Sequence, residues 1–180
     1  MLLRSRCAVA VLAAVVGSFA VAGTASAEQV TVPDADASSS PSDILSVSAD
    51  HAPKRVYVRI SVADVDAASL GSDVAQVFYD TRKARPGPEY GVHIPVDGGA
   101  SGEDCAVYRM RHWRMRGFVG RCAVSFDQGA DVISTDVGRK ALGHPHRVRV
   151  GVRTEHQVSG EETVDWLIGR HRFTTWLGHA

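Results

Sequence analysis

Val56-Tyr57-Val58-Arg59-Ile60-Ser61-Val62 is the stretch whose reading decides the fold. Aliphatic residues at every second position turn one face of an extended chain toward a core and leave Tyr57, Arg59 and Ser61 on the other, the period of a half-buried β-strand. The same period returns at Val148, Val150 and Val152, which alternate with Arg147, Arg149, Gly151 and Arg153. Residues 74–80, 90–96, 105–112, 119–126 and 131–137 are further strand candidates. Turn-rich pieces separate them: Arg85-Pro86-Gly87-Pro88, Asp97-Gly98-Gly99, Asp127-Gln128-Gly129 and Gly143-His144-Pro145. With no long amphipathic helical pattern, the chain predicts an all-β fold, an antiparallel β-sandwich or jelly roll of seven to nine strands, with a closed barrel as the competing architecture.

Ahead of the strands, Arg4 and Arg6 precede an Ala, Val and Leu run over residues 8–22, and Ala25-Ser26-Ala27 is a small-residue cleavage site. Residues 1–27 therefore predict a signal peptide, and the mature form is expected to be secreted, extracellular or associated with the cell wall, with no transmembrane segment. Residues 28–42 hold Asp34, Asp36, a serine triplet and two prolines, and predict a disordered linker. Residues 43–180 are then one β-sandwich domain. Of the 3 cysteines, Cys7 leaves with the signal, so Cys105 and Cys122 predict one disulfide in an oxidising compartment, across a hairpin around residues 109–117.

The 20 basic and 20 acidic residues balance over the whole chain, and loss of Arg4 and Arg6 leaves the mature part slightly acidic. That balance argues against nucleic acid as a partner. No Gly-x-Ser-x-Gly elbow occurs, and no serine has a local base, so catalysis has no support beyond the availability of side chains. Two weak metal candidates stand out. His144 and His146 would point the same way from an extended segment. Asp64 and Asp66 share a loop, and loop carboxylates on a sandwich can hold a structural calcium through oxygen ligands. No other cofactor is expected.

Aromatic residues support a binding reading. Tyr57 lies opposite the aliphatic face of its strand, and Trp113 lies near a hairpin tip between Arg111 and Arg114, where an exposed ring could stack on a sugar. Trp166 and Trp176 are expected to pack the C-terminal segment onto the sandwich. Arg109, Arg111, Arg114, Arg116 and Arg121 make the Trp113 hairpin positive, suited to an acidic polymer or else to a solvated edge whose charges deter edge-to-edge pairing.

Several segments taken together, Phe78-Tyr79-Asp80-Thr81, Arg85 to Tyr90, Gly138 to Pro145, Val164-Asp165-Trp166 and Arg172 to Trp176, resemble uncharacterised secreted proteins of actinobacteria across about residues 43 to 178. The strand order is also similar to sandwich domains of the carbohydrate-binding or DOMON type. A haem-binding DOMON domain would imply axial Met and His ligands, and Met110 and Met115 have no matched partner. The function expected is a secreted, non-enzymatic β-sandwich that binds a glycan or a protein at the cell surface. The alternative is a small extracellular hydrolase with a loop-built active site, which would need a pocket joining a histidine, a carboxylate and a serine.

Overall fold

A computed structural model of the chain describes residues 27–35, 38–65, 73–85, 87–96 and 105–179. The leader expected at 1–27 lies almost wholly outside them. The described residues form twelve strands and no helix long and apolar enough to cross a membrane. In chain order these are β1 (Glu28–Pro33), β2 (Ile44–His51), β3 (Arg55–Val62), β4 (Asp73–Asp80), β5 (Tyr90–Val96) and β6 (Ala106–Arg111). They continue with β7 (Arg114–Arg121), β8 (Ala123–Asp127), β9 (Val132–Gly138), β10 (Arg147–Val158), β11 (Glu161–Trp166) and β12 (Leu177–Gly178).

They make two antiparallel sheets, so the expected sandwich is present with more strands than seven to nine. One sheet has the order β1-β2-β3-β9-β8; the other runs β11-β10-β4-β5-β6-β7, with β12 also on β10. The alternation in β3 does what its period dictates. Val56, Val58, Ile60 and Val62 are buried between the sheets. They meet Ala75, Val77 and Tyr79 of β4, Val92 and Ile94 of β5, and Val148, Val150 and Val152 of β10 in one apolar core. Burial of that apolar surface is the main stabilising term, at about 25 cal/mol for each Å² removed from water.

Two segments depart from the sequence-based expectation. Of the stretch 28–42 expected as a disordered linker, the described residues 28–35 and 38–42 are instead ordered on the sandwich, whose first strand begins at Glu28 rather than after residue 43. Glu28–Pro33 pairs with β2 along its length, and Val30 and Val32 pack against the core. The Ser38 amide then donates to Asp43 Oδ1 at 2.8 Å, and the Asp43 amide to the Ser40 carbonyl at 3.1 Å, so the serine run closes a turn with Ser40 and Ser42 buried. The single strand expected at 119–126 is two, because the chain leaves one sheet and joins the other at Cys122.

The disulfide sits at that corner. Cys105 and Cys122 are bonded with Cα atoms 5.0 Å apart, and the Cys122 amide donates to the Cys105 carbonyl at 3.1 Å. The cross-link closes the base of the β6–β7 hairpin just where the chain crosses over. Replacing both cysteines by serine is expected to cost about 3 kcal/mol, read as a lower urea midpoint that reductant no longer shifts.

Candidate functional site: an aromatic platform on the outer face

The site is built on the outer face of the larger sheet, around Phe78 of β4. Phe78 is flanked in register by glycines on both sides, Gly151 of β10 and Gly91 of β5. A row of Gly-Phe-Gly leaves a ring standing between two hollows, and each hollow is filled by a different part of the chain. Over Gly91 lies Met110, whose sulfur would be 2.9 Å from an added Cβ. Over Gly151 lies the Arg172 carbonyl oxygen, which would be 2.8 Å from an added Cβ, with the Phe173 ring beside it at 3.3 Å.

The second filler is an excursion in an edge strand. β11 ends at Trp166, paired with Arg153, and the Leu167 amide still donates to the Val152 carbonyl at 3.1 Å. The chain then leaves the edge, with Ile168, Gly169 and His171 at positive φ, passes over Gly151, and rejoins at Thr174. There the Thr174 amide donates to the Val150 carbonyl at 2.8 Å and its hydroxyl accepts from the Val150 amide at 3.0 Å. Pairing resumes at β12. Arg149 pins the return: its guanidinium contacts the buried Asp80 carboxylate at 2.6 and 2.9 Å. It also lies 4.8 Å from the Phe173 ring centre and 4.7 Å from that of Trp176.

Trp113 enters from the opposite side. β6 and β7 are joined by His112 and Trp113 alone, with φ of 50° and 62°. Two successive left-handed residues define the tight hairpin turn that ordinarily selects Asn-Gly, and for a bulky side chain each costs about 1 kcal/mol or more. The compensation is visible in the ring's contacts. Its centre is 4.2 Å from that of His171 in a near-parallel stack and 5.1 Å from Phe78. Phe173 follows at 5.2 Å and Trp166 at 5.7 Å, while Trp166 itself stacks on Phe78 at 5.6 Å. Trp113 and Trp166 remain half-buried. Burial, with Arg170 nearby, lowers the His171 pKa, which favours the neutral form of the stacked imidazole.

Three open grooves meet at Trp113 and share lining residues with one another. The largest, about 740 Å³, lies between the 85–89 loop and the hairpin and includes Arg85, Arg109, Arg111 and Arg116. A second, about 550 Å³, runs toward β11 past Gln76, Arg153, Glu162 and His171. The third, about 460 Å³, joins them through Gly87, His171 and Phe173. Together they form one channel across the outer face. The carboxylate lining its first section is Glu89, whose Oε2 accepts from the Thr81 amide and hydroxyl and whose pKa is raised chiefly by burial.

The residues singled out in the sequence are distributed unevenly over this site. Trp113 and Arg111 are in it, and Arg114 is Arg111's exposed cross-strand partner on the same hairpin. Tyr57 is not: it lies on β3, in the other sheet, opposite Asp50 and Asp136. His144 has a φ of 54° after Gly143 at 75°, so the extended geometry that would align it with His146 is absent, and His146 stacks on His179 at 5.7 Å instead. Asp64 is exposed, and Asp66 lies outside the described residues. Among the described residues no group of three His, Cys, Asp or Glu side chains is gathered for a metal. Met110 and Met115 face each other across the hairpin, Met110 being committed to the hollow over Gly91.

A serine, a carboxylate and a histidine do meet elsewhere. Ser42 donates its hydroxyl to Asp73, which also contacts His156 Nδ1 at 2.7 Å. The order differs from that of a nucleophile and its base, because the carboxylate stands between the hydroxyl and the imidazole. The trio ties the 38–43 turn to β4 and β10, and Thr154 adds a hydroxyl bond to the Ser42 carbonyl at 2.6 Å.

No family model matches the chain, and no curated protein matches it. Gly151→Ala is expected to drive the 168–173 excursion off the sheet, since backbone rather than a flexible side-chain end opposes the new methyl. The cost should be about 1–3 kcal/mol in urea unfolding, with a change in tryptophan emission that Gly129→Ala, at an exposed turn, does not give.

Proposed function

We propose that the protein is an exported, non-enzymatic binding module whose ligand is a glycan laid along the outer-face channel with Trp113 as its central stacking surface. The observation that carries this reading is the turn itself: a bulky aromatic is held in a left-handed conformation that glycine would adopt without strain. Strain of this kind persists where the surroundings over-determine it, and it clusters at binding and switch positions. Here it places an indole at the junction of three grooves. A half-exposed ring bordered by Gln76, Arg153, Glu162 and His171 offers a sugar both an apolar face and hydrogen-bonding groups at its rim.

The shape of the site favours a chain over a compact ligand. Three open, connected grooves across a sheet present length rather than enclosure, whereas small-molecule sites bury most of their ligand. Export accords with the leader-like residues 1–27 and with a disulfide, which persists in oxidising compartments.

The test is direct. Protein recovered from the medium of a secreting host should have the mass of a chain beginning at Glu28. It should be retarded in affinity electrophoresis by at least one soluble polysaccharide. Trp113→Gly relieves the turn while deleting the ring, so it should retain the sheet spectrum yet bind about thirtyfold more weakly or worse, the loss expected of a central aromatic anchor. Unchanged binding by Trp113→Gly would remove the platform from the account, and a retained residue 1–27 would remove export.

A further inference from the structure

We infer that the section of the channel between the 85–89 loop and the β6–β7 hairpin selects acidic polysaccharides, with guanidinium groups receiving the carboxylates of uronate-type sugars. This rests on the glycan reading and adds to it the chemical class of the ligand. Arg85, Arg109, Arg111 and Arg116 line this groove, and none of them has a carboxylate partner among the described residues. Arg109 instead lies 5.6 Å from the ring centre of Tyr90. Arg111 stands directly opposite Arg114 across the hairpin, a like-charge pair that destabilises a ladder by itself.

The contrast with the rest of the molecule is informative. Arg55 is paired with Asp136, Arg149 with Asp80, and Arg153 with Glu155 and Glu162. Arg139 donates to the Pro53 and Pro145 carbonyls. These four guanidinium groups have acceptors within the protein, while the four at this groove gather around Glu89, the carboxylate among its described lining residues. Glu89 already serves Thr81 and is buried enough that its ionised form is disfavoured. Charges that only guarded an edge strand would need to face water along β7. Arg85 belongs to a different segment, and it closes the groove from the opposite wall. A planar guanidinium matches a carboxylate through two parallel hydrogen bonds, which gives such a groove a specific ligand chemistry rather than a diffuse attraction.

A sugar polymer whose charge can be removed without changing its backbone separates this inference from the one it rests on. Polygalacturonate and its fully methyl-esterified form should be titrated by calorimetry into the exported protein, with polyphosphate as a polyanion lacking sugars. The acid polymer should bind at least about tenfold tighter than the ester, and Arg109→Gln with Arg111→Gln should erase that difference. The same double variant should leave whatever affinity the ester retains, because Trp113 is untouched. Raising salt should weaken the acid polymer and not the ester. Equal affinity for acid and ester overturns the inference and leaves the glycan reading standing. Binding of polyphosphate with neither polysaccharide bound, or binding of none of the three, overturns the inference, whereas the glycan reading falls only if no soluble polysaccharide retards the protein.

Discussion

A two-layer sandwich has a single interior, and each sheet can give only one face to it. Whatever the outer faces carry must be answered by water, by another piece of chain or by a ligand. The smaller sheet answers with polar residues such as Tyr57, Arg59 and Ser61 opposite the buried valines. The larger sheet sets Phe78 on its outer face between two glycines. That row has no place in the core and would be an apolar defect in water. Its consequence is a second, smaller aromatic assembly, closed from one side by the 168–173 excursion and from the other by Trp113, and this is the platform on which the functional account stands.

Covering the row is done with polar as well as apolar contacts, which explains why the excursion is fixed rather than draped. Asp80 is fully buried beneath Arg149, and the pair holds Phe173 and Trp176 on the guanidinium face. Removing one member of such a pair strands the other charge, so the return of the chain to β12 is coupled to β4. Carboxylates elsewhere are similarly occupied. Asp165 accepts from the Ile44 and Trp166 amides, and its pKa is raised chiefly by burial. Asp34 accepts from the Ile168 amide.

The period of two made β3 and the first half of β10 legible, and β4, β5 and β9 were legible as strand candidates set off by turn-rich pieces, although runs of consecutive buried residues in them break the alternation. β1 was not legible: at an edge, Val30 and Val32 suffice to dock it, and the flanking Pro, Asp and Ser residues carry the composition of a spacer. The β7–β8 corner was missed for the opposite reason, since the apolar pattern continues through Cys122 while the chain changes sheets. Trp113 was legible as a hairpin tip from its arginine neighbours. Its partners were not, because Phe78, Gly91 and Gly151 become one row only through cross-strand register, which is non-local. The same limit misplaced Tyr57, whose alternation fixes that it faces outward but not which of the two outer faces it occupies.

The central claim is that ligand meets the protein at Trp113, and the molecule offers its own reporters, since it has 3 tryptophans. Indole N–H resonances in a nitrogen-15 correlation spectrum should be followed while polygalacturonate is added to the exported protein. The account predicts that the Trp113 signal, assigned by Trp113→Gly, moves most, that Trp166 follows through the shared Phe78 stack, and that Trp176 moves least. A titration that saturates with Trp113 stationary while binding is measured by calorimetry would contradict it.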